Sequence, residues 1–195
     1  MRFALLLLLA LPLAAQESVE IDNVWVKVQR VKLAAHSKLP VETHPASVTV
    51  FLTDAGRQKA GDVSYSDGAR SAEENASDRP LEKIVVELKP NAPKSPPLSL
   101  DPVKLDAEHH LVPLENSRVR VLRTILEPHL KSPMHEHPHY VVVYLTELHT
   151  TMALADGKLV DNVRHPGEVA WRDYMKHQTE NIGEKQAMEI QIELK

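Results

Sequence analysis

The chain contains itself twice, and this repeat limits the fold more than any other feature of the sequence. Shifted by 93 residues, Ile21-Asp22-Asn23 falls on Leu114-Glu115-Asn116, and Val26, Val28 and Arg30 fall on Val119, Val121 and Arg123. His36, Lys38, Pro40, His44 and Pro45 then meet His129, Lys131, Pro133, His137 and Pro138. Shifted by 106, Gly61-Asp62-Val63 meets Gly167-Glu168-Val169, Glu74-Asn75 meets Glu180-Asn181, and IVVELK (residues 84–89) meets IQIELK (residues 190–195). The offset changes once, where residues 55–60 are short and residues 148–166 are long. The long version carries Asp156-Gly157, a hairpin turn signal, so the second copy is expected to hold a hairpin that the first lacks. The copies span residues 19–89 and 112–195. Residues 90–111 lie between them, with prolines at 90, 93, 96, 97 and 102. That stretch reads as an extended, semi-rigid linker or as tight turns over one compact body.

Each copy reads as strands. Residues 24–31 and 119–126 alternate β-branched with Lys, Gln and Arg, the period of a half-buried strand. Residues 48–52 and 141–145 are more continuously apolar, as in strands deep in a sandwich or barrel. Pro and Gly punctuate the gaps, and no stretch carries a helical stripe. The expected class is therefore all-β, an antiparallel sandwich or small barrel in each copy. Units of this size are near the lower limit for an independent core, so the copies are expected to pack on each other or on a partner chain.

Met1-Arg2 precedes an apolar run through Ala15, and the chain turns polar at Gln16. The run is too short to span a bilayer and has the form of a signal peptide, residues 1–15, with cleavage after Ala15. No cysteine follows it for lipid attachment. The expected location is secreted or periplasmic, with no membrane contact after cleavage. The formal net charge of −4 argues against nucleic acid. Zero cysteines exclude disulfides, cysteine nucleophiles and thiolate metal sites.

Eleven histidines stand against two phenylalanines and two tryptophans. His135 and His137 are two apart, so on a strand both project to one face. Neutral imidazole ligates divalent transition metals. The repeat suggests His177, beyond the strand expected at 168–172, as a third ligand. In the first copy the same positions are Glu42, His44 and Ser71. His109 and His110 fall in the linker, where exposure is the default. His36 and His129 read as turn or surface residues, and Glu136 as solvated.

With these motifs the chain resembles a bicupin, two tandem cupin-type β-barrels with a degenerate first domain. The cupin family's first motif is a glycine, five residues, His-x-His and a later glutamate, matched here by His135-x-His137. Its second motif runs from a glycine to a histidine with an asparagine four positions on, matched by Gly167, His177 and Asn181. The resemblance implies two jelly rolls, with a divalent metal (Fe, Mn, Ni, Cu or Zn) held by His135, His137 and His177 inside the second. It also makes a homo-oligomer an expectation. The sequence departs from the pattern at Val141 and Val142, where the glutamate should stand, at Pro128 for the first glycine, and at Asp173 and Met175 for the Pro-x-Gly turn. His139 is a substitute fourth ligand, although Pro138 disturbs the strand before it.

Three function classes follow. The first is an exported metal-dependent enzyme of dioxygenase type acting on a small chelating substrate. The second is a non-catalytic cupin that binds a small ligand or scaffolds an assembly, favoured by the lost glutamate and the want of a recognisable acid–base pair. The third is metal sequestration by histidines. Tyr140, Tyr144, Trp171 and Met175 are pocket or core residues.

Overall fold

The computed structural model describes residues 15–195; the leader read at residues 1–15 lies outside the described residues but for Ala15, which opens the first strand. The first half forms β1 (Ala15–Asp22), β2 (Val26–Leu33), β3 (Ser37–His44), β4 (Ser47–Phe51), β5 (Val63–Ser66), β6 (Ala69–Asn75) and β7 (Leu81–Leu88). One helical turn, α1 (Pro102–Leu105), follows, capped by the Asp101 carboxylate on Val103 N–H. The second half forms β8 (His110–Glu115), β9 (Val119–Leu126), β10 (His135–His137), β11 (Tyr140–Tyr144), β12 (Leu148–Leu154), β13 (Leu159–Arg164), β14 (Val169–Arg172), β15 (Met175–Asn181) and β16 (Ala187–Leu194).

The two halves have the same sheets. The first has β1-β2-β7-β4-β5 against β3-β6; the second has β8-β9-β16-β11-β14 against β10-β15-β12-β13. Every ladder runs antiparallel, and each pair of sheets makes a jelly-roll barrel, as expected. The extra hairpin is β12–β13, turning at Asp156-Gly157 with Gly157 at φ +82. It widens the second barrel's smaller sheet from two strands to four.

Duplication reaches the side chains. Asn75 donates to the carbonyls of Leu33, Ala34 and Arg79, and Asn181 donates to those of Leu126, Glu127 and Lys185, the same three positions in the other copy. His36 and His129 both take a positive φ at the surface, in the turns expected for them.

The five-stranded sheets pack face to face. Val26, Val28, Val48, Val50, Ile84 and Val86 meet Val119, Val121, Val141, Val143, Ile190 and Ile192 in one core. Fully burying such a side chain contributes on the order of 2 kcal/mol. Around this core the contacts are reciprocal. Arg30 donates to the Gly167 carbonyl at 2.5 Å, and its equivalent Arg123 donates to the Gly61 carbonyl at 2.7 Å. The copies thus pack on each other, related as in a twofold dimer. This explains the unbroken apolar character of β11. Val141 and Val143 face the other copy, whereas Tyr140, Val142 and Tyr144 face into their own barrel.

Residues 90–111 do not form a free linker along their whole length. The prolines at 96 and 97 lie near Pro138 and Glu193 of the second barrel, α1 follows, and β8 begins at His110.

Candidate metal centre

Strand pairing brings the expected histidines together. His135 on β10 lies directly across from His177 on β15, and His137 across from Met175. All three imidazoles are buried, at 2%, 0% and 4% exposure. Ring centroids are 4.8 Å apart for His135 and His137, 4.6 Å for His135 and His177, and 5.4 Å for His137 and His177.

A fourth imidazole was not expected. His110, read from sequence as exposed linker, is only 2% exposed. Its ring is 5.2 Å from that of His135 and 6.3 Å from that of His137. One ring nitrogen each of His110, His135 and His137 lie within 4.8 Å of one another. The signal lay in the repeat itself. His110 pairs with Thr124 as Glu17 pairs with Val31, so β8 is the second copy's β1. A proline-rich run in front of it hid that strand.

The hydrogen bonds orient three of the rings. His110 Nδ1 faces the Asp106 carbonyl at 3.0 Å, His135 Nδ1 the Pro133 carbonyl at 2.8 Å, and His137 Nδ1 the Glu193 carboxylate at 2.7 Å. Carbonyl oxygens only accept, and a carboxylate accepts when ionised. Each Nδ1 therefore carries the proton, leaving Nε2 as a lone pair. Glu193 is itself held by Arg120 at 2.6 Å, and Arg120 by Asp101 at 2.9 Å. Burial pushes the His110 and His135 pKa values down and those of His137 and His177 far down, so the rings are neutral at neutral pH. His137 Nε2 and His177 Nδ1 are buried without any hydrogen-bond partner. Orphaned nitrogens among neutral, pre-oriented imidazoles are the donor set a divalent transition metal requires, so these residues fit one.

Several sequence expectations change. Glu136 is buried rather than solvated: its carboxylate accepts from Ser99 N–H at 2.8 Å and Leu100 N–H at 3.1 Å, which hold it below the usual carboxylate range. Glu136 thereby pins the segment before α1 along β10. His139 is no fourth ligand. Its ring lies 4.4 Å from Trp25 and stacks on Trp171, between the two barrels, with Asp173 at 3.3 Å. Trp171 and Met175 are packing residues, whereas Tyr140 and Tyr144 line the cavity. His149 and His165 pair with Asp161 and Glu147 at the surface.

Beside the imidazoles is a cavity of about 30 Å³, lined by His110, His135, His177, Thr124, Arg172 and Glu189 among others. No carboxylate stands at Val141 or Val142, as the sequence indicated. One enters from β16 instead. Glu189 sits between Thr124 and Tyr144 across the sheet, and burial raises its pKa to about 7 against an opposing hydrogen bond from Gln191. The barrel therefore holds a candidate proton acceptor that motif spacing could not reveal.

In the first barrel, Glu42 pairs with Ser71 and His44 with Ala69, the registers of the second. Glu42 and Ser71 are exposed, as is Glu17.

No family model matches the sequence, and no curated protein matches it. Solved structures do match. AerE from Microcystis aeruginosa aligns over 87% of this chain and 88% of its own, at 14% identity and TM-score 0.63. A variant oxalate decarboxylase from B. subtilis aligns over 92% and 72%, at 13% identity and TM-score 0.63. A variant salicylate 1,2-dioxygenase from Pseudoaminobacter salicylatoxidans aligns over 87% and 71%, at 11% identity and TM-score 0.59. Paired jelly rolls, reciprocal packing and alignment with two-barrel cupin enzymes along nearly the whole described chain lead to one conclusion: this protein has the cupin fold, in its bicupin form.

Proposed function

We propose that the second barrel is a mononuclear metal centre with His135, His137 and His177 as ligands and His110 as a further donor, serving a dioxygenase-type reaction on a small chelating substrate in an exported protein. The observation that carries this reading is the group of four buried, neutral imidazoles, in which His110, His135 and His137 have Nδ1 tied to an acceptor and in which His137 Nε2 and His177 Nδ1 have no protein partner. When bound, a divalent Fe, Mn, Ni, Cu or Zn ion would supply Lewis acidity and open coordination positions for a chelating ligand. The chain's own groups do the rest. Glu193 and the two carbonyls orient the rings, Glu136 pins the neighbouring segment along β10, and Glu189 accepts a proton at the cavity wall. Enzymes of the same fold that act on salicylate and oxalate support a small acid as substrate. The first barrel has a structural role, its degenerate site being open to solvent.

Metal analysis of the purified full chain tests this. Wild type should hold about one ion per chain, and His135→Ala and His137→Ala less than a tenth of that. Equal metal in wild type and variants removes the reading. A second reading, a non-catalytic binding protein, is favoured by Val142, which stands where the family's glutamate should be. Bound metal without dioxygen uptake across a panel of small acids would select it.

A further inference from the structure

The single turn α1 belongs to neither barrel, yet each of its ends reaches an imidazole of the second. At the N-terminal end Asp101 divides its carboxylate between two tasks. Oδ1 accepts from Val103 N–H at 2.9 Å and caps the turn, while Oδ2 accepts from Arg120 Nη1 at 2.9 Å. Arg120 Nε donates to Glu193 Oε2 at 2.6 Å, and His137 Nδ1 donates to Glu193 Oε1 at 2.7 Å. At the C-terminal end Asp106 N–H donates to the Pro102 carbonyl at 2.8 Å and closes the turn. The Asp106 carbonyl then accepts from His110 Nδ1 at 3.0 Å. Residues 101–106 thus fix two rings that stand on different strands, β10 and β8.

Two further observations separate this relay from ordinary surface pairing. In the first barrel Lys27 stands for Arg120, and it meets Glu87 at 3.9 Å, beyond hydrogen-bond range. In the second, Asp101, Arg120 and Glu193 are all largely buried, and two carboxylates against one guanidinium leave an excess of one negative charge. Beside neutral imidazoles that excess is offset by a cation at the rings.

We propose that Asp101 is a positioning residue for the metal site, and that α1 couples the site's occupancy to the seating of residues 99–106. Seated, the turn aims His137 and His110; with an ion bound, the two rings in return hold the turn in place, because such coupling is reciprocal. The proposal rests on the metal-centre reading for the ion and on the hydrogen bonds for the relay.

The test uses the full chain with cobalt(II) as the probe. Asp101→Ser keeps a capping oxygen but cannot reach Arg120 with a charge, so it separates the cap from the relay. It should bind cobalt about fivefold or more weakly and shift the cobalt absorption bands. Amide hydrogen exchange over residues 99–106 should slow about fivefold or more on loading wild type, and less on loading the variant. Wild-type affinity and an unshifted spectrum in Asp101→Ser would reduce Asp101 to a helix cap and overturn the relay. Exchange in wild type that is the same with and without cobalt overturns the coupling, and that measurement needs no variant to fold. Failure of the metal reading shows differently, as wild type binding no more cobalt than His135→Ala.

Discussion

The two barrels share strands, registers and turn contacts, yet they treat the same positions in opposite ways. In the second, residues 135–137 are all buried; in the first, Glu42 and its neighbours on β3 face water. Motif residues do not account for this. The segment from Ser99 to α1 runs over the second barrel and is pinned to Glu136, while β12–β13 extends the sheet beside β15. The first barrel has neither cover. A histidine pair becomes a dry, neutral donor set only when chain from outside its own sheet excludes water from it.

The largest expected contrast is between Glu193 and its first-barrel equivalent, Glu87. Glu193 is buried between His137 and Arg120, whereas Glu87 meets Lys27 at 3.9 Å near the surface. Glu193→Gln should lower metal affinity about 10- to 100-fold and destabilise the fold by about 3 kcal/mol. Glu87→Gln should cost less than about 1 kcal/mol and leave metal binding unchanged. Metal titration and urea denaturation measure both; equal costs would mean that the barrels' interiors do not differ as described.

Glu189 sharpens the comparison through pH. Its equivalent in the first barrel is Lys83, ion-paired with Glu73. With its pKa raised to about 7 from an ordinary 4.5, Glu189 binds its proton more tightly in the folded than in the unfolded chain. Stability from this group is therefore complete below pH 4.5 and falls as pH rises toward 7. Glu189→Gln cannot ionise and escapes that loss. The variant should gain up to about 3 kcal/mol at pH 8 and nothing at pH 4, read from denaturation midpoints. A gain independent of pH would break the assignment.

The smallest effect tests the symmetry between copies. Arg30→Ala and Arg123→Ala each remove one of two equivalent bonds across the interface. Each should cost about 1 kcal/mol and the two should match within a few tenths, apart from the extra ion pairs of Arg30 with Glu20 and Glu82. A cost confined to one arginine would show that the interface is not reciprocal.

Much of this was legible in sequence. The repeat offsets translate directly into strand register: Glu42 on Ser71 and His135 on His177 are the same ladder position in each copy. The extra hairpin and the pairing of the copies also followed. His110 escaped because a strand that begins after a proline-rich run shows too few alternating residues to be read. Glu189 escaped because its inward direction depends on which face of β16 meets the other barrel. Glu136 was misjudged because its partners, the amides of Ser99 and Leu100, belong to a segment with no periodicity at all.

The sequence by itself determined the all-β class, the duplication, most of the strands and the place of the extra hairpin, because periodicity and duplication are local properties written along the chain. Tertiary structure decided which face of each strand is interior, and that four imidazoles share a single barrel with Glu189, Glu193, Arg120 and Arg172. Those outcomes depend on burial and on electrostatics between residues far apart in the chain, and no pattern along the sequence encodes the distance between them.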